Sequence, residues 1–271
     1  MISKTVDINT SGTLKYITFP KLTKCGAVRH VFSTRLGGVS TGDFYSMNLS
    51  FHKDSRECVE ENYRRLCSAV GIDTSHLVLS HQTHTSNVRN VTKEDIGIGF
   101  ARPEFHDVDG LVTNESGVAM VTQYADCTPL LFCDPINHVA ATSHAGWRGT
   151  AKGIGAVTVE KMVKEYGCNP KNIIVAIGPC IRKCCYEVDT PVYEEFKKMG
   201  IDLTDVFTRK DDNHFMLDMQ LANKRLLIKN GIREENIDVA DICTCCNSDE
   251  MHSHRATNGK RGNLAAIIEL I

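Results

Sequence analysis

The sequence holds little aromatic material, one Trp, seven Tyr and ten Phe among 271 residues, and only seven prolines. The prolines are scattered, and there is no Pro/Ser-rich linker, internal repeat or low-complexity tract. One domain spanning residues 1–271 is therefore expected. No apolar run approaches the roughly 18 residues that a membrane helix needs. The N-terminal Met1-Ile2-Ser3-Lys4-Thr5-Val6-Asp7 has no apolar core of the kind a secretory signal requires. An excess of either charge is also missing: 31 Lys+Arg face 33 Asp+Glu, a net charge of -2. That balance excludes a generally basic nucleic-acid binder and a polybasic membrane surface. A soluble cytoplasmic protein with no nucleic-acid or membrane partner is expected, and at 42% hydrophobic it can bury a large core.

Cysteine, by contrast, is abundant, with twelve residues. Without a signal peptide these are expected to be free thiols in a reducing compartment. Adjacent pairs such as Cys184-Cys185 and Cys245-Cys246 rarely suit a disulfide. Two clusters, Cys180-x-x-x-Cys184-Cys185 and Cys243-x-Cys245-Cys246, invite a structural zinc. Their spacing lacks two matched chelating pairs, however, and packed or surface free thiols are the expectation.

Apolar periodicity predicts helices over 55–70, 150–166, 191–200 and 216–230, the first closed by Gly71 and the second by Gly167. Short runs rich in Val, Ile and Leu predict strands over 117–122, 130–133, 139–143, 173–177, 239–243 and 264–270. The mixture reads as α+β or α/β around a mixed sheet.

The segment from Thr122 to Thr150 carries the clearest chemistry. His144 ends an apolar run and precedes Ala145-Gly146-Trp147-Arg148-Gly149, a turn into the next helix. Arg148 there offers a fork of donors to an anion. A packed His and a surface Arg are the plainer interpretation. The polar pair Asp126-Cys127 separates two apolar runs, and a thiolate at Cys127 would serve as ligand or nucleophile, although most buried thiols are inert. Upstream, His81 and His84 are three apart, so on a strand only one of them would enter a given site. Two imidazoles and one thiolate make a three-ligand zinc site with an open position, the catalytic pattern, if the three converge. Other polar segments are Ser33–Ser40 with Arg35, Ser46–Ser50 with Asn48, Asp107-Val108-Asp109-Gly110, and the basic Ser253-His254-Arg255 and Lys260-Arg261-Gly262, which also suit solvated turns. The zinc-deaminase signature and the P-loop are both absent.

Several blocks occur together and in order: Ser33-Thr34-Arg35-x-Gly37-Gly38-Val39-Ser40, Asn48-Leu49, Gln82-Thr83-His84, Asp109-Gly110-Leu111-Val112-Thr113, Ala125-Asp126-Cys127-x-Pro129, His144-Ala-Gly-Trp-Arg-Gly149, Ile177-Gly178-Pro179-x-Ile181 and Ser253-His254-Arg255. In these the chain resembles the purine nucleoside phosphorylase family, also called the polyphenol oxidase or laccase-domain family, which includes bacterial peptidoglycan-editing factors. The resemblance runs from about Arg35 to the C-terminus. It implies a single α+β domain, a layered α/β/β/α sandwich with mixed sheets. It implies zinc on His84, Cys127 and His144, phosphorolysis of adenosine, inosine and S-methyl-5'-thioadenosine, and adenosine deamination. Val108 departs from a commoner Ala, and His254 stands where a Tyr is common.

Residue type then suggests Arg148 and Asp126 as catalytic groups, Arg35 and Arg148 as phosphate or ribose contacts, and Asn48 and Gln82 as hydrogen-bonding partners of sugar or base. Purine nucleosides and phosphate are the expected partners of a monomer or weak homodimer. Two other classes use the same residues. A copper-dependent polyphenol oxidase is disfavoured, because eleven histidines with one H-x-H pair, His252-x-His254, supply few copper ligands. A cysteine-type hydrolase of cell-wall precursors would use Cys127 as nucleophile and a His as base.

Overall fold

All seven residues of Leu264–Leu270 are buried, because this strand has a neighbour on each edge and a packed layer on each face. Ala265 and Ile267 meet one layer with Val31, Leu77 and Val121; Leu264, Ala266 and Ile268 meet another with Phe32 and Met120. The period of two is that of a strand, and burial on both faces makes the run read as uniformly apolar.

The computed structural model describes residues 1–271. One six-stranded sheet runs in the order Asp7–Ser11, Leu14–Thr18, Val28–Ser33, Leu264–Leu270, Ala119–Tyr124, Leu77–Leu79, antiparallel except for its last pair. The second runs Ile237–Val239, Ile174–Ile177, Thr128–Asp134, Val139–Ala145, Gly110–Thr113, Val88–Asn90, with parallel pairs only at its two edges. Their inner faces share one core of 25 buried residues. Helix Arg56–Val70 covers the outer face of the first sheet through Val59, Tyr63 and Leu66. Helix Ile154–Tyr166, with Leu227 of helix Met219–Lys229, covers the second. This is the α/β/β/α sandwich with mixed sheets. A small third sheet, Glu187–Asp189, His214–Leu217 and Phe207–Arg209, packs with helix Thr190–Lys197 beside it.

Several predicted elements have different limits. The helix expected over 150–166 is two, Trp147–Ala151 and Ile154–Tyr166, because Gly153 between them sits at φ +79 in the left-handed region. The strand expected over 239–243 is instead Ile237–Val239; Asp241 beyond it turns its carboxylate to Ser3 and Lys4 of the N-terminal segment. The strand expected from Gly117 begins at Ala119, since Gly117 takes φ +78. The three N-terminal strands are absent from the sequence-based expectation. Their short, polar-rich patterns, such as Asp7-Ile8-Asn9-Thr10-Ser11, carry no continuous apolar run.

Candidate active site

Three chain segments meet at one end of the sandwich. His144 lies on Val139–Ala145 of the second sheet. Cys127 lies in the link between Ala119–Tyr124 of the first sheet and Thr128–Asp134 of the second, where the chain crosses between layers and Asp126 takes φ +89. His84 lies in the loop after Leu77–Leu79 at φ +65. Their donor atoms all fall within 4.8 Å of one another. Cys127 Sγ is 3.7 Å from His84 Nε2, and the two imidazole centroids are 4.9 Å apart.

Asp109, fully buried, organises this group. Its Oδ1 meets His144 Nδ1 at 2.8 Å and accepts from the His84 amide at 3.0 Å. Its Oδ2 accepts from the amides of Thr83 and Thr85 and from the Thr85 hydroxyl, at 3.2, 2.8 and 2.7 Å. One carboxylate thus fixes the His84 loop and turns the His144 ring so that Nε2 faces the cluster. Burial alone would raise the Asp109 pKa, but the hydrogen bonds from His144 and Thr85 outweigh it and hold it at about 2. Burial likewise pushes the Cys127 thiol up, while His144 and then His84 bring it down to about 6. His144 is raised to about 9, since Cys127 and Asp109 overcome its desolvation.

The residues fit a zinc ion. The donor set is two nitrogens and a thiolate, and a carboxylate holds the second nitrogen of one His, the arrangement that orients metal-bound imidazoles. Gly146 leaves the room: a Cβ there would lie 2.5 Å from His84 Cδ2 and 3.2 Å from Cys127 Sγ.

The cluster opens onto a cavity of about 1510 Å³. Six cationic side chains (Lys53, Arg56, Arg102, Arg255, Lys260, Arg261) line it against three carboxylates, Asp43, Glu104 and Asp126. A chain with a net charge of -2 therefore carries a locally basic site suited to an anion. Arg261 Nε is buried without a partner, and burial depresses this guanidinium against the opposing pull of Asp126 and Cys127.

The other residues singled out in the sequence are placed unevenly. Asp126, on the cavity wall, has both oxygens engaged, by the Thr244 hydroxyl at 2.6 Å and the Arg255 amide at 2.7 Å. Gln82 lines the cavity but exchanges both its amide groups with the Gln123 backbone. Asn48, fully buried, is spent on Ser50, Asp54 and Asn263. Arg35 is not on the cavity wall and donates to the carbonyls of Tyr45 and Ser248. Arg148 is exposed, its guanidinium 4.2 Å over the Trp147 ring, and it too is away from the wall. Arg35 and Arg148, expected as anion contacts, therefore lie off the cavity; the arginines on its wall are Arg56, Arg102, Arg255 and Arg261. His81 stays out of the metal group and pairs on the wall with His106, ring centroids 5.6 Å apart. Sequence reading placed Asp109 in an acidic turn and in the block Asp109-Gly110-Leu111-Val112-Thr113, but gave it no role at the site.

The family model for multi-copper polyphenol oxidoreductase laccase matches residues 29–271. The chain belongs to this family. It is 34% identical to the purine nucleoside phosphorylase YlmD of Bacillus subtilis over 88% of this chain and 86% of that one. It is 31% identical to a purine nucleoside phosphorylase of Bacteroides thetaiotaomicron over 92% and 94%. The crystal structure of Bacillus licheniformis YfiH superposes with a TM-score of 0.92 at 30% identity, covering 97% of this chain and 99% of that chain. That of YlmD from Geobacillus stearothermophilus gives 0.91 at 31%, covering 97% and 98%. No helix is long and apolar enough to cross a membrane.

Proposed function

We propose that the protein is a zinc-dependent purine nucleoside phosphorylase that cleaves adenosine, inosine and S-methyl-5'-thioadenosine with phosphate, and that the same site deaminates adenosine. The observation that carries this is the His84, Cys127, His144 group opening into a cation-lined cavity. The names of the relatives support it. Held by those three residues, zinc would supply Lewis acidity and activation of a bound water.

The chain's own groups account for the rest. Arg261, with its unpartnered Nε, and Arg255 hold phosphate by charge-assisted hydrogen bonds. A phosphate oxygen bonds to the anomeric carbon as the bond to the purine nitrogen breaks; the electron pair leaves on the purine, which takes up a proton. His81 and His106 are the proposed donors. In deamination, water oxygen replaces the 6-amino group, which leaves as ammonia. Asp126 acts as a positioning residue, tying the Cys127 turn to Thr244 and Arg255. Gln82 and Asn48 shape the wall. The protein works as a cytoplasmic monomer or weak homodimer on small molecules.

Incubation with each nucleoside, with and without phosphate, followed by chromatography tests this reading. Free base and the phosphate ester of the corresponding pentose (ribose, or methylthioribose from S-methyl-5'-thioadenosine) should form only with phosphate present, and inosine should form from adenosine without it. Absence of both products from zinc-replete protein refutes the proposal.

One observation favours a second reading. Cys127, His144 and Asp109 form a nucleophile–base–carboxylate chain. A cysteine-type hydrolase of cell-wall precursors would keep turning over after chelation, which the zinc enzyme would not. The laccase chemistry in the family's description needs several copper ions in His-rich sites, and copper remains the disfavoured metal: the two candidate ligand groups here are one His-Cys-His and one all-cysteine.

A further inference from the structure

Four sulfur atoms from two loops distant in sequence converge outside the cavity. Cys184, Cys185, Cys243 and Cys246 place their Sγ atoms within 4.8 Å of one another. Cys246 Sγ is 3.4 Å from that of Cys184 and 3.3 Å from that of Cys185, well beyond a disulfide bond. Zinc–sulfur bonds of about 2.3 Å in a tetrahedron set the sulfurs about 3.8 Å apart, so closing around the ion requires small side-chain movements only.

The backbone already has the form of a ligand cage. Cys243 and Cys246 are a C-x-x-C pair, hidden in the sequence by the intervening Cys245. The Arg182 amide points at Cys243 Sγ at 3.5 Å, and the Cys246 amide faces the same sulfur, as N–H groups do towards metal-bound thiolates. The two loops are zipped together just before the cluster: Cys180 and Cys243 form a bridge, the Thr244 amide donates to the Cys180 carbonyl at 3.0 Å, and Arg182 donates to the Asp241 carbonyl at 2.9 Å. Cys180 and Cys245 remain outside the group.

We propose that Cys184, Cys185, Cys243 and Cys246 bind a second, structural zinc ion as four thiolates. This replaces the expectation of independent free thiols, which counted spacing along the chain and missed the C-x-x-C pair. Four protein ligands leave no open position, in contrast to the His84, Cys127, His144 site. The ion would also brace the cavity wall. Thr244, between two cysteines of the cluster's second loop, holds Asp126, and the Cys185 carbonyl accepts from Arg255 at 3.0 Å. Binding zinc releases thiol protons and changes no oxidation state.

Native mass spectrometry of protein produced with added zinc and purified under reducing conditions tests the proposal. Two zinc ions per chain are expected in the wild type, one in Cys243→Ser/Cys246→Ser and one in Cys127→Ala. Cys245→Ser should keep two. Cobalt replacement in the wild type gives a reading that does not depend on folding of the double variant: five thiolate ligands in all should give about five times the thiolate-to-cobalt charge-transfer intensity of a single-cysteine site. One zinc per chain in the wild type that is retained in Cys243→Ser/Cys246→Ser, intensity for a single thiolate, two zinc ions in the double variant, or a disulfide among these four cysteines in the reduced protein would each overturn it. Metal count is independent of whether nucleosides are substrates, so the two proposals fail separately.

Discussion

Asp109 and His144 are joined twice: the carboxylate meets Nδ1 at 2.8 Å, and the Asp109 carbonyl accepts from the His144 amide at 2.7 Å. The same carboxylate also receives three amides of the His84 loop. Asp109→Asn keeps the size but replaces one accepting oxygen with an NH2 that faces donors. Zinc affinity at the His84, Cys127, His144 site should drop by about 10–100-fold, read by competition with a chelating dye. Unchanged affinity would show that the carboxylate does not organise the ligands.

Gly146→Ala should remove the metal while leaving the fold. The backbone at φ -66 suits alanine, but its Cβ would reach 2.5 Å from His84 Cδ2. Zinc content should fall well below one ion at this site with near-wild-type circular dichroism. Full zinc content with native turnover would mean that the His84 loop yields to the methyl group.

The two guanidinium candidates separate kinetically. Arg148→Ala, lost from an exposed stack on Trp147, should change turnover by no more than a few-fold. Arg261→Met removes a half-buried guanidinium with a buried Nε and should raise the KM for phosphate by about 10–100-fold, the equivalent of roughly 1.5–3 kcal/mol for a hydrogen bond to a charged group. The phosphate dependence of initial rates decides; a larger defect in Arg148→Ala would return the anion contact to that residue.

Stability should fall in mild acid because of His30. This buried imidazole accepts from the Phe19 amide at 2.8 Å, and burial lowers its pKa to about 4. The unfolded chain, at about 6.5, takes up the proton first, so stability declines as pH drops below about 6.5 and the loss levels off below about 4. The full effect is about 3 kcal/mol. Urea unfolding at pH 7 and pH 4.5 checks this: His30→Gln should lose less stability over that interval than the wild type does. Equal losses would point to other groups.

The chemistry proved easier to read in the sequence than the geometry. Cys127 and His144 stand out because polar residues there interrupt or end apolar runs, and such interruptions need a reason; His84 stands out by its spacing from His81. Strand Leu264–Leu270 was legible over its whole length because both faces are buried. What stayed hidden depends on partners far along the chain. Asp109 looks like any turn acid until His144 lies against it, and Arg148 looks like an anion binder until Trp147 takes its face. The Cys184 and Cys243 loops are about sixty residues apart, and it is the bridge at Cys180 and Cys243, with the Thr244 and Arg182 hydrogen bonds beside it, that brings their sulfurs together.

The position of Leu264–Leu270 between Val28–Ser33 and Ala119–Tyr124 sets an order of assembly. Until that strand is in place, both neighbouring strands present open edges, and the first sheet is held only in two halves. Its pairings span most of the chain, and contacts of such long range are slow to form. Arg261, Gly262 and Asn263, part of the cavity wall, immediately precede this strand. The ligand-binding surface is therefore finished in the same event that closes the sheet, and a folding intermediate lacking that strand has neither.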